Sequence, residues 1–463
     1  MSERSAARAV VLAAGSGKRM RSRVPKVLHP VGGLSLLEHS LRAAEAATSG
    51  RPILVVSELD GSVRARLQAR AELVVQAEPK GTAAAVAEAR AALAGEVVVL
   101  VLPGDMPLLS AASLTRLIEA LDASEAGAAV LTAAVTEARG YGRIVRSGDG
   151  RLTKIVEDAD EPWDGAPAEV NLGAYAFSLP QLWEALAKLT SDNTQGELYL
   201  SWLPQMVAGG AVTVEATDPD EAIQVNDRVQ LAQAEAALRR RTLRRLMLAG
   251  VTVTDPSATW VDCDVEVGAD TVIAPGTVIR GKSRIGSDCV IGPFAELEDV
   301  EIGNGCRIGR SHLSGCKLAD GVDVGPFNRV RPDSEMGPKT HLGTFTEVVR
   351  SRVGEGSQIP HLSYVGDAEV GRDVNYGAGS ITANWDGQMK HRTVIADGAR
   401  LGSGTILVAP VEVGEGAYTG AGSIITNDVP QGSLAVARAR QRNILGWVAR
   451  RRAKATNATE DAS

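Results

Sequence analysis

Aromatic side chains are scarce in this chain. Phenylalanine, tryptophan and tyrosine together make up 3% of 463 residues, against 49 glycines. An interior that cannot be filled with large rings must be packed with small aliphatic side chains and turned tightly, as in a solenoid. Cysteine is sparse too: Cys263, Cys289, Cys306 and Cys316 show no C-x-x-C pair and no His/Cys spacing suited to a metal. No apolar run reaches membrane length, and the opening MSERSAARAVVLAAG lacks the apolar core of a signal peptide. Positive charge is not in excess. The net charge of −7 argues against a nucleic-acid partner, and the local run Arg239, Arg240, Arg241, Arg244 and Arg245 reads as one solvated face of a helix. From these absences the chain is expected to be cytoplasmic, with neither membrane nor nucleic acid as a partner.

What is present falls into two periods. Up to residue 228, short β-branched runs alternate with longer Ala/Leu-rich stretches. Val10 to Ala14, Ile53 to Val56, Leu73 to Val75, Val97 to Leu102 and Ala128 to Val135 read as buried strands. Leu36 to Ala47, Thr82 to Leu93 and Ala111 to Leu121 read as helices. Such alternation implies an α/β, Rossmann-like domain over 1–228, with a mostly parallel sheet covered on both faces. Ligands of such folds bind beyond the carboxyl ends of the strands. Residues 229–250 follow as a helical arm of good helix formers, ending at Gly250.

From about residue 261 the period becomes six: an aliphatic residue, a small or acidic one, two turn residues, then a small one. Val267-Gly-Ala-Asp-Thr271, Ile285-Gly-Ser-Asp-Cys289 and Leu401-Gly-Ser-Gly-Thr405 show the frame, with slips near Glu298 and Ser311. Hexapeptide repetition over so long a stretch is the mark of a parallel β-helix, here 251–440. Cys289 and Cys306 fall at its small-residue slots. Thr382 to Arg392 breaks the frame and reads as a loop thrown out of the solenoid, the usual sign of a binding face. The tail, 441–463, is polar and is expected to be partly disordered.

Chemistry-bearing residues cluster after the first strand. In Leu12-Ala13-Ala14-Gly15-Ser-Gly-Lys-Arg19 the glycines let the backbone approach a phosphate, and Arg19 can neutralise it. A strand-ending turn would look the same, but Pro25-Lys26 adds a cation and Gly104-Asp105 places a carboxylate at the end of a later strand. In the repeat region His361 takes a turn position that would otherwise hold Gly or Asp, with Glu347, Tyr364 and Asn375 near it at roughly coil spacing. Its imidazole suits proton transfer near neutrality.

Over essentially its whole length the chain resembles the bifunctional N-acetylglucosamine-1-phosphate uridylyltransferase/glucosamine-1-phosphate N-acetyltransferase family, whose β-helix is left-handed. The match runs through the Leu12-Ala-Ala-Gly loop, Pro25-Lys26, Gln76, Gly81-Thr82, Gly104-Asp105, Gly140-Tyr-Gly-Arg143, Glu157, Asn171 and Val225-Asn226. The resemblance implies that Gln76 and Gly81-Thr82 hold the uracil of UTP, that Gly140, Glu157 and Asn171 hold the acetylated sugar, and that Asp105 and Asn226 hold Mg²⁺. A sugar-phosphate oxygen is already anionic, so its attack on the α-phosphorus needs positioning and charge neutralisation by Arg19, Lys26 and Mg²⁺ rather than a strong base.

The resemblance further implies that His361 is the general base of acetyl transfer, oriented by Glu347. Arg331, Tyr364 and Asn375 would bind glucosamine-1-phosphate. Ala378, Asn384, Trp385, Lys390, Ser403, Ala421 and Arg438 would line acetyl-CoA. The family trimerises through the β-helix, so a homotrimer is expected. Four departures stand out: Pro79-Lys80 in place of Gln-Leu, Ala83-Ala84 in place of Gly-His, Trp202 in place of Asp, and Val349 in place of a Lys that clamps the sugar phosphate. Arg350 lies one residue beyond. Loss of that Lys leaves an alternative open, a monofunctional nucleotidyltransferase whose β-helix serves only assembly.

Overall fold

A computed structural model describes residues 7–15, 17–57, 61–78 and 80–460. Ser16 of the glycine-rich loop, Pro79 and the last three residues of the tail lie outside the described residues. The chain divides into two compact units, Met1–Arg245 with Val261–Asp264, and Leu246–Trp260 with Val265–Ser463.

The first unit is built on a nine-stranded sheet: β1 (Ala7–Leu12), β2 (Ile53–Ser57), β3 (Glu72–Gln76), β4 (Val98–Pro103), β5 (Ala128–Val135), β6 (Arg143–Arg146), β7 (Leu152–Val156), β8 (Ala168–Ser178) and β9 (Ala211–Glu215). Its spatial order is β9-β5-β8-β4-β1-β2-β3, with β6 paired to β8 and β7. β1 is parallel to both β2 and β4, while β8 runs antiparallel between β4 and β5. The helices are α1 (Leu36–Ala47), α2 (Gly61–Leu67), α3 (Thr82–Glu88), α4 (Ala111–Asp122) and α5 (Leu179–Leu186).

The β-branched runs are buried on both faces because side chains alternate along each strand. Val11, Leu100, Leu102 and Leu131 pack with Leu37 and Leu41 of α1 and Leu114 and Leu117 of α4. Val10, Val99, Val101 and Val130 pack with Ala83 and Val86 of α3 and Leu179 and Leu182 of α5. A capping box of Ser35 and Glu38 starts α1, and the Ser110 side chain caps α4. α3 ends at Glu88 rather than Leu93: Ala89 and Arg90 turn their N–H groups to Val86 and Ala87, three residues back, and the α-helix tightens into turns. The arm is helical as expected, α6 (Arg228–Leu248), with Ala234, Ala237 and Leu238 packed on Met20, Val31, Leu36, Leu108 and Val225. Members of its arginine run are tied down, among them Arg240 to Asp220, Arg241 to Asp218 and Arg245 to Cys263 O at 3.1 Å.

The second unit is a left-handed parallel β-helix whose strands, mostly two or three residues long, stack into sheets of seven, ten and nine strands. Each coil ordinarily advances by three hexapeptides, as from Ile273 to Ile291 and from Ile279 to Leu297. The slips are short coils: Leu297 pairs with Leu313 and Ile302 with Leu318, short of three full hexapeptides. Inward aliphatic side chains stack rung upon rung, for example Ile285, Ile302, Leu318, Met336 and Val353, all nearly fully buried. The small-residue slots hold hydroxyls that return a hydrogen bond to a coil carbonyl, as Thr271 does to Gly286 at 2.8 Å and Ser357 to Gly371 at 2.7 Å. Cys289 and Cys306 occupy such slots and are free and buried.

The outward side of the third sheet carries Glu266, Arg284, Glu301, Lys317, Glu335, Arg352 and Glu369 on successive rungs, strictly alternating in sign. Each exposed pair contributes only ~0–1 kcal/mol, but a one-rung slip would set like charges together, so the ladder reinforces register.

One coil is longer. Thr382 pairs with Leu407, more than four hexapeptides on, and the extra length leaves the solenoid between strands Ile381–Ala383 and Thr393–Ile395. In the tail Trp447–Glu460 is a helix, α7, rich in the strong helix formers Ala, Arg and Lys. Among the described residues no helix is long and apolar enough to cross a membrane.

Candidate active sites

In the first unit the loop after β1 approaches the end of β4. Gly104 N donates to Leu12 O at 2.8 Å, and a Cβ at Gly104 would stand 3.0 Å from that same oxygen. Gly17 has a φ of 56°, and a Cβ there would meet Lys26 Cβ at 2.6 Å, so glycine is what lets the two loops touch. Lys26 Nζ donates to the Asp105 carboxylate and to Asn226 Oδ1 at 3.1 Å. Asp105 is 8% exposed and its carbonyl accepts from Val225 N at 3.0 Å, which draws the Val225-Asn226 segment to it. The lysine ammonium is seated between a carboxylate and an amide oxygen, two hard oxygen donors of the kind Mg²⁺ takes alongside substrate phosphates. The Arg19 guanidinium is exposed and has no partner among the described residues.

Gln76 and the Gly81 loop also meet: Gln76 Nε2 donates to Gly81 O at 3.2 Å. Gly81 has a φ of 105°, and any Cβ there would lie 2.6 Å from Leu198 O. Thr82 Oγ1 accepts from Leu200 N at 3.0 Å, so this loop is fastened to the 197–202 segment. Ala83 is fully buried in the core, and Trp202 stands edge-on to Tyr199 at 5.5 Å. Those two departures therefore serve packing. Lys80 pairs with Glu78 on the surface.

The residues expected at the sugar converge as well. Asn171 N donates to Gly142 O at 2.8 Å, and Glu157 accepts from the Ser201 hydroxyl. Burial holds the Glu157 carboxyl above the usual range, opposed by that hydrogen bond. A bulge in β8 between Asn171 and Tyr175 turns Asn171 Nδ2 onto Tyr175 Oη at 2.6 Å. Gly140 N donates to Asp158 at 2.9 Å. Sequence reasoning missed Ser201 and Tyr175, whose partners lie on other strands or across the bulge, where no spacing signal reaches.

In the solenoid the expected acetyl-transfer residues share a backbone ladder at one corner. Gly379 N donates to His361 O at 3.2 Å, Gly404 N to Ala378 O at 2.7 Å, and Gly422 N to Ser403 O at 2.8 Å. Arg438 Nη1 completes it by donating to Ala421 O at 2.8 Å. Three further pairs lie on adjacent coils: Glu347 with Tyr364, Thr344 with His361, and Gln358 with Asn375. Glu347 accepts from Arg331 at 3.4 Å, while the exposed His361 ring makes no hydrogen bond among the described residues. Among the described residues Glu347 engages Arg331, and no hydrogen bond joins it to His361. Val349 is 2% exposed, opposite Gly366. Arg350 sits at a corner with a φ of 46° and forks onto Asp367 at 2.7 and 2.8 Å, so it does not join Arg331. In the ejected loop Trp385 faces Lys390 across a bridge, with Asn384 buried at its base.

A glycine-rich loop and a Lys26–Asp105–Asn226 cluster at the ends of parallel strands, with a hexapeptide solenoid following in the same chain, have the architecture of a nucleotidyltransferase joined to a left-handed β-helix. Consistent with this, residues 9–205 match the MobA-like NTP transferase domain family. The chain is 44% identical over 445 residues to a bifunctional protein GlmU of Brevibacillus brevis, covering 95% of this chain and 96% of that protein. It is 44% identical over 471 residues to the bifunctional protein GlmU of Mycolicibacterium gilvum (98% and 95% covered), and 45% over 452 residues to that of Kineococcus radiotolerans (96% and 92%). The chain belongs to the bifunctional GlmU family.

Proposed function

We propose that the two sites perform consecutive steps: acetylation of glucosamine-1-phosphate in the β-helix, then uridylylation of the product in the α/β domain, yielding UDP-N-acetylglucosamine, a cell-wall precursor. The observation that carries this reading is that the Lys26–Asp105–Asn226 cluster and the His361–Ala378–Ser403–Ala421 ladder are both assembled in one chain. The monofunctional alternative has no support, since among the acetyl-transfer positions only Val349 departs and the chain carries His361, Arg331, Tyr364 and Asn375.

In the α/β domain Gln76 and Gly81-Thr82 receive the uracil, and Gly140, Glu157 and Asn171 hold the acetylated sugar. Asp105 and Asn226 hold Mg²⁺, which when bound neutralises charge on the nucleotide phosphates. Lys26 and Arg19 neutralise the remaining phosphate charge while a phosphate oxygen of the sugar forms its bond to the α-phosphorus and pyrophosphate leaves. In the β-helix the sugar amine attacks the thioester carbonyl of acetyl-CoA, the C–S bond breaks, and CoA leaves as the thiol. His361 takes the amine proton and returns it to the departing sulfur, and Arg331 holds the sugar phosphate. Ala378, Ser403 and Ala421 line the donor channel, with Trp385 against the donor and Lys390 and Arg438 toward its phosphates.

The enzyme is proposed to act as a cytoplasmic homotrimer. What supports the trimer is an outward column on the second sheet that turns apolar, Tyr364, Ile381, Ile406 and Ile424, with Ile424 52% exposed. Light scattering of the full chain checks it; a monomer would discard it. Mass spectrometry of products from UTP, acetyl-CoA and glucosamine-1-phosphate, each omitted in turn, tests the two-step reading. Formation of the uridylylated sugar only from pre-acetylated substrate would reduce it to one step.

A further inference from the structure

We infer that Asp367 is a positioning residue for acetyl transfer, gripping both ends of the ejected loop 384–392 and aiming the Asn384 side chain at the substrates. The inference rests on the acetyl-transfer reading above. Asp367 stands at a coil corner with a φ of 50°, a conformation that Asp and Asn accept more readily than other L-residues. Its carboxylate accepts the Arg350 fork at 2.7 and 2.8 Å from the preceding coil. The same carboxylate accepts Asn384 Nδ2, where the chain leaves the solenoid. Its carbonyl accepts Thr393 N at 3.2 Å, where the chain returns.

Between these two points the loop is braced by its own bonds. Asn384 O accepts from His391 N at 2.8 Å, and Asp386 pairs with the His391 ring at 2.6 Å. Gly366 makes room: a Cβ there would lie 2.7 Å from Asn384 Nδ2 and 2.5 Å from Tyr364 Oη. Bare backbone at this position is what sets Asn384 beside Tyr364.

The chemistry of the acceptor fixes the amide's sense. Hydrogen bonds from Arg350, and to a lesser degree from Asn384, keep the Asp367 carboxyl below its ordinary range. An ionised carboxylate only accepts, so Asn384 must present its NH₂ to Asp367. Its Oδ1 then faces away and has no partner among the described residues, ready to accept an N–H. Both substrates carry one: the amides of acetyl-CoA and the amine of the amino sugar.

The test uses the full chain, with Asp367→Gly, which removes the carboxylate without straining a left-handed corner, and Asp367→Asn, which keeps one acceptor oxygen. Loss of a charge-assisted hydrogen bond corresponds to roughly a tenfold to hundredfold effect. Asp367→Gly is expected to raise by that factor the KM for acetyl-CoA or for glucosamine-1-phosphate, with kcat for acetylation changed about threefold at most. Asp367→Asn should fall between it and the wild type. The substrate whose KM moves is the one that supplies the N–H. Uridylyl transfer should be unchanged, and an unaltered thermal transition of the β-helix reports that the variant is folded. If Asp367→Gly does not fold, Asp367→Asn decides, and two unchanged KM values overturn the inference. An Asn384→Ala variant separates the failures. If it shifts a KM and Asp367→Gly does not, the positioning inference falls; if neither does, the assignment of the loop to acetyl transfer falls with it.

Discussion

Lys26 Nζ lies between Asp105 and Asn226, donating to the carboxylate of one and to the amide oxygen of the other at 3.1 Å. On the proposed reading a divalent cation shares these two oxygens, and it would then have to displace the ammonium. Lys26→Met removes the competitor. Mn²⁺ affinity without nucleotide, followed by the EPR signal of the free ion, is expected to rise, while uridylyl transfer drops about 10²–10³-fold through loss of a preorganised charge. Unaltered Mn²⁺ binding would show that lysine and metal do not share a position.

Asp105→Asn addresses the same site from the anionic side. Asp105 is the carboxylate of the Gly-Asp turn that closes β4, and Mg²⁺ prefers anionic oxygen. UDP-sugar formation should be lost and acetyl transfer retained in one preparation. Full uridylyl transfer by this variant at limiting Mg²⁺ would move the metal elsewhere.

His361→Ala should cut acetyl transfer by roughly 10²–10⁴-fold, the usual contribution of a general base, and spare uridylylation. Stopped assays of both half-reactions decide the point. An alanine variant that acetylates at the wild-type rate would transfer the role to another group.

Val349, though buried, lies on the rung next to Arg331, since Val330 pairs with Val348. With Arg350 committed to Asp367, the proposed reading leaves Arg331 to hold the sugar phosphate. Val349→Lys is expected to lower the KM for glucosamine-1-phosphate roughly tenfold to a hundredfold, the worth of one charge-assisted hydrogen bond, with little change in kcat. A KM that stays put means the phosphate is held away from these rungs.

Glu157 supplies a pH dependence. Burial raises its folded-state pKa above the unfolded value, so between the two the folded chain binds the extra proton. The stabilisation is complete below the unfolded pKa and is lost as pH rises through the folded one. Glu157→Gln should therefore flatten this limb in thermal melts of the α/β domain's transition across mildly acidic pH. Parallel wild-type and variant curves would show that the carboxyl titrates normally.

Much was legible without coordinates because it is local. The hexapeptide period, the long helix from Arg228 and the strand–helix alternation each follow from side-chain direction repeating along the chain, so the β-helix, the arm and the sheet could be read directly. The phosphate loop was legible for the same reason, as glycines beside a strand end. Helix ends were less so: α3 stops at Glu88 through backbone bonds that its Ala-rich sequence does not announce.

The sequence by itself determined the architecture, the two clusters of reactive residues and the coil from which a loop is ejected. Only the tertiary structure decided how those residues are partnered. Lys26 meets Asn226 across 200 positions, Glu157 meets Ser201 across 44, and Arg350 turns to Asp367 on the next coil rather than to a phosphate. Periodicity says which way a side chain points. Which of several nearby charges it engages depends on corner dihedrals and on rung register, and coils of unequal length set those differently at each turn.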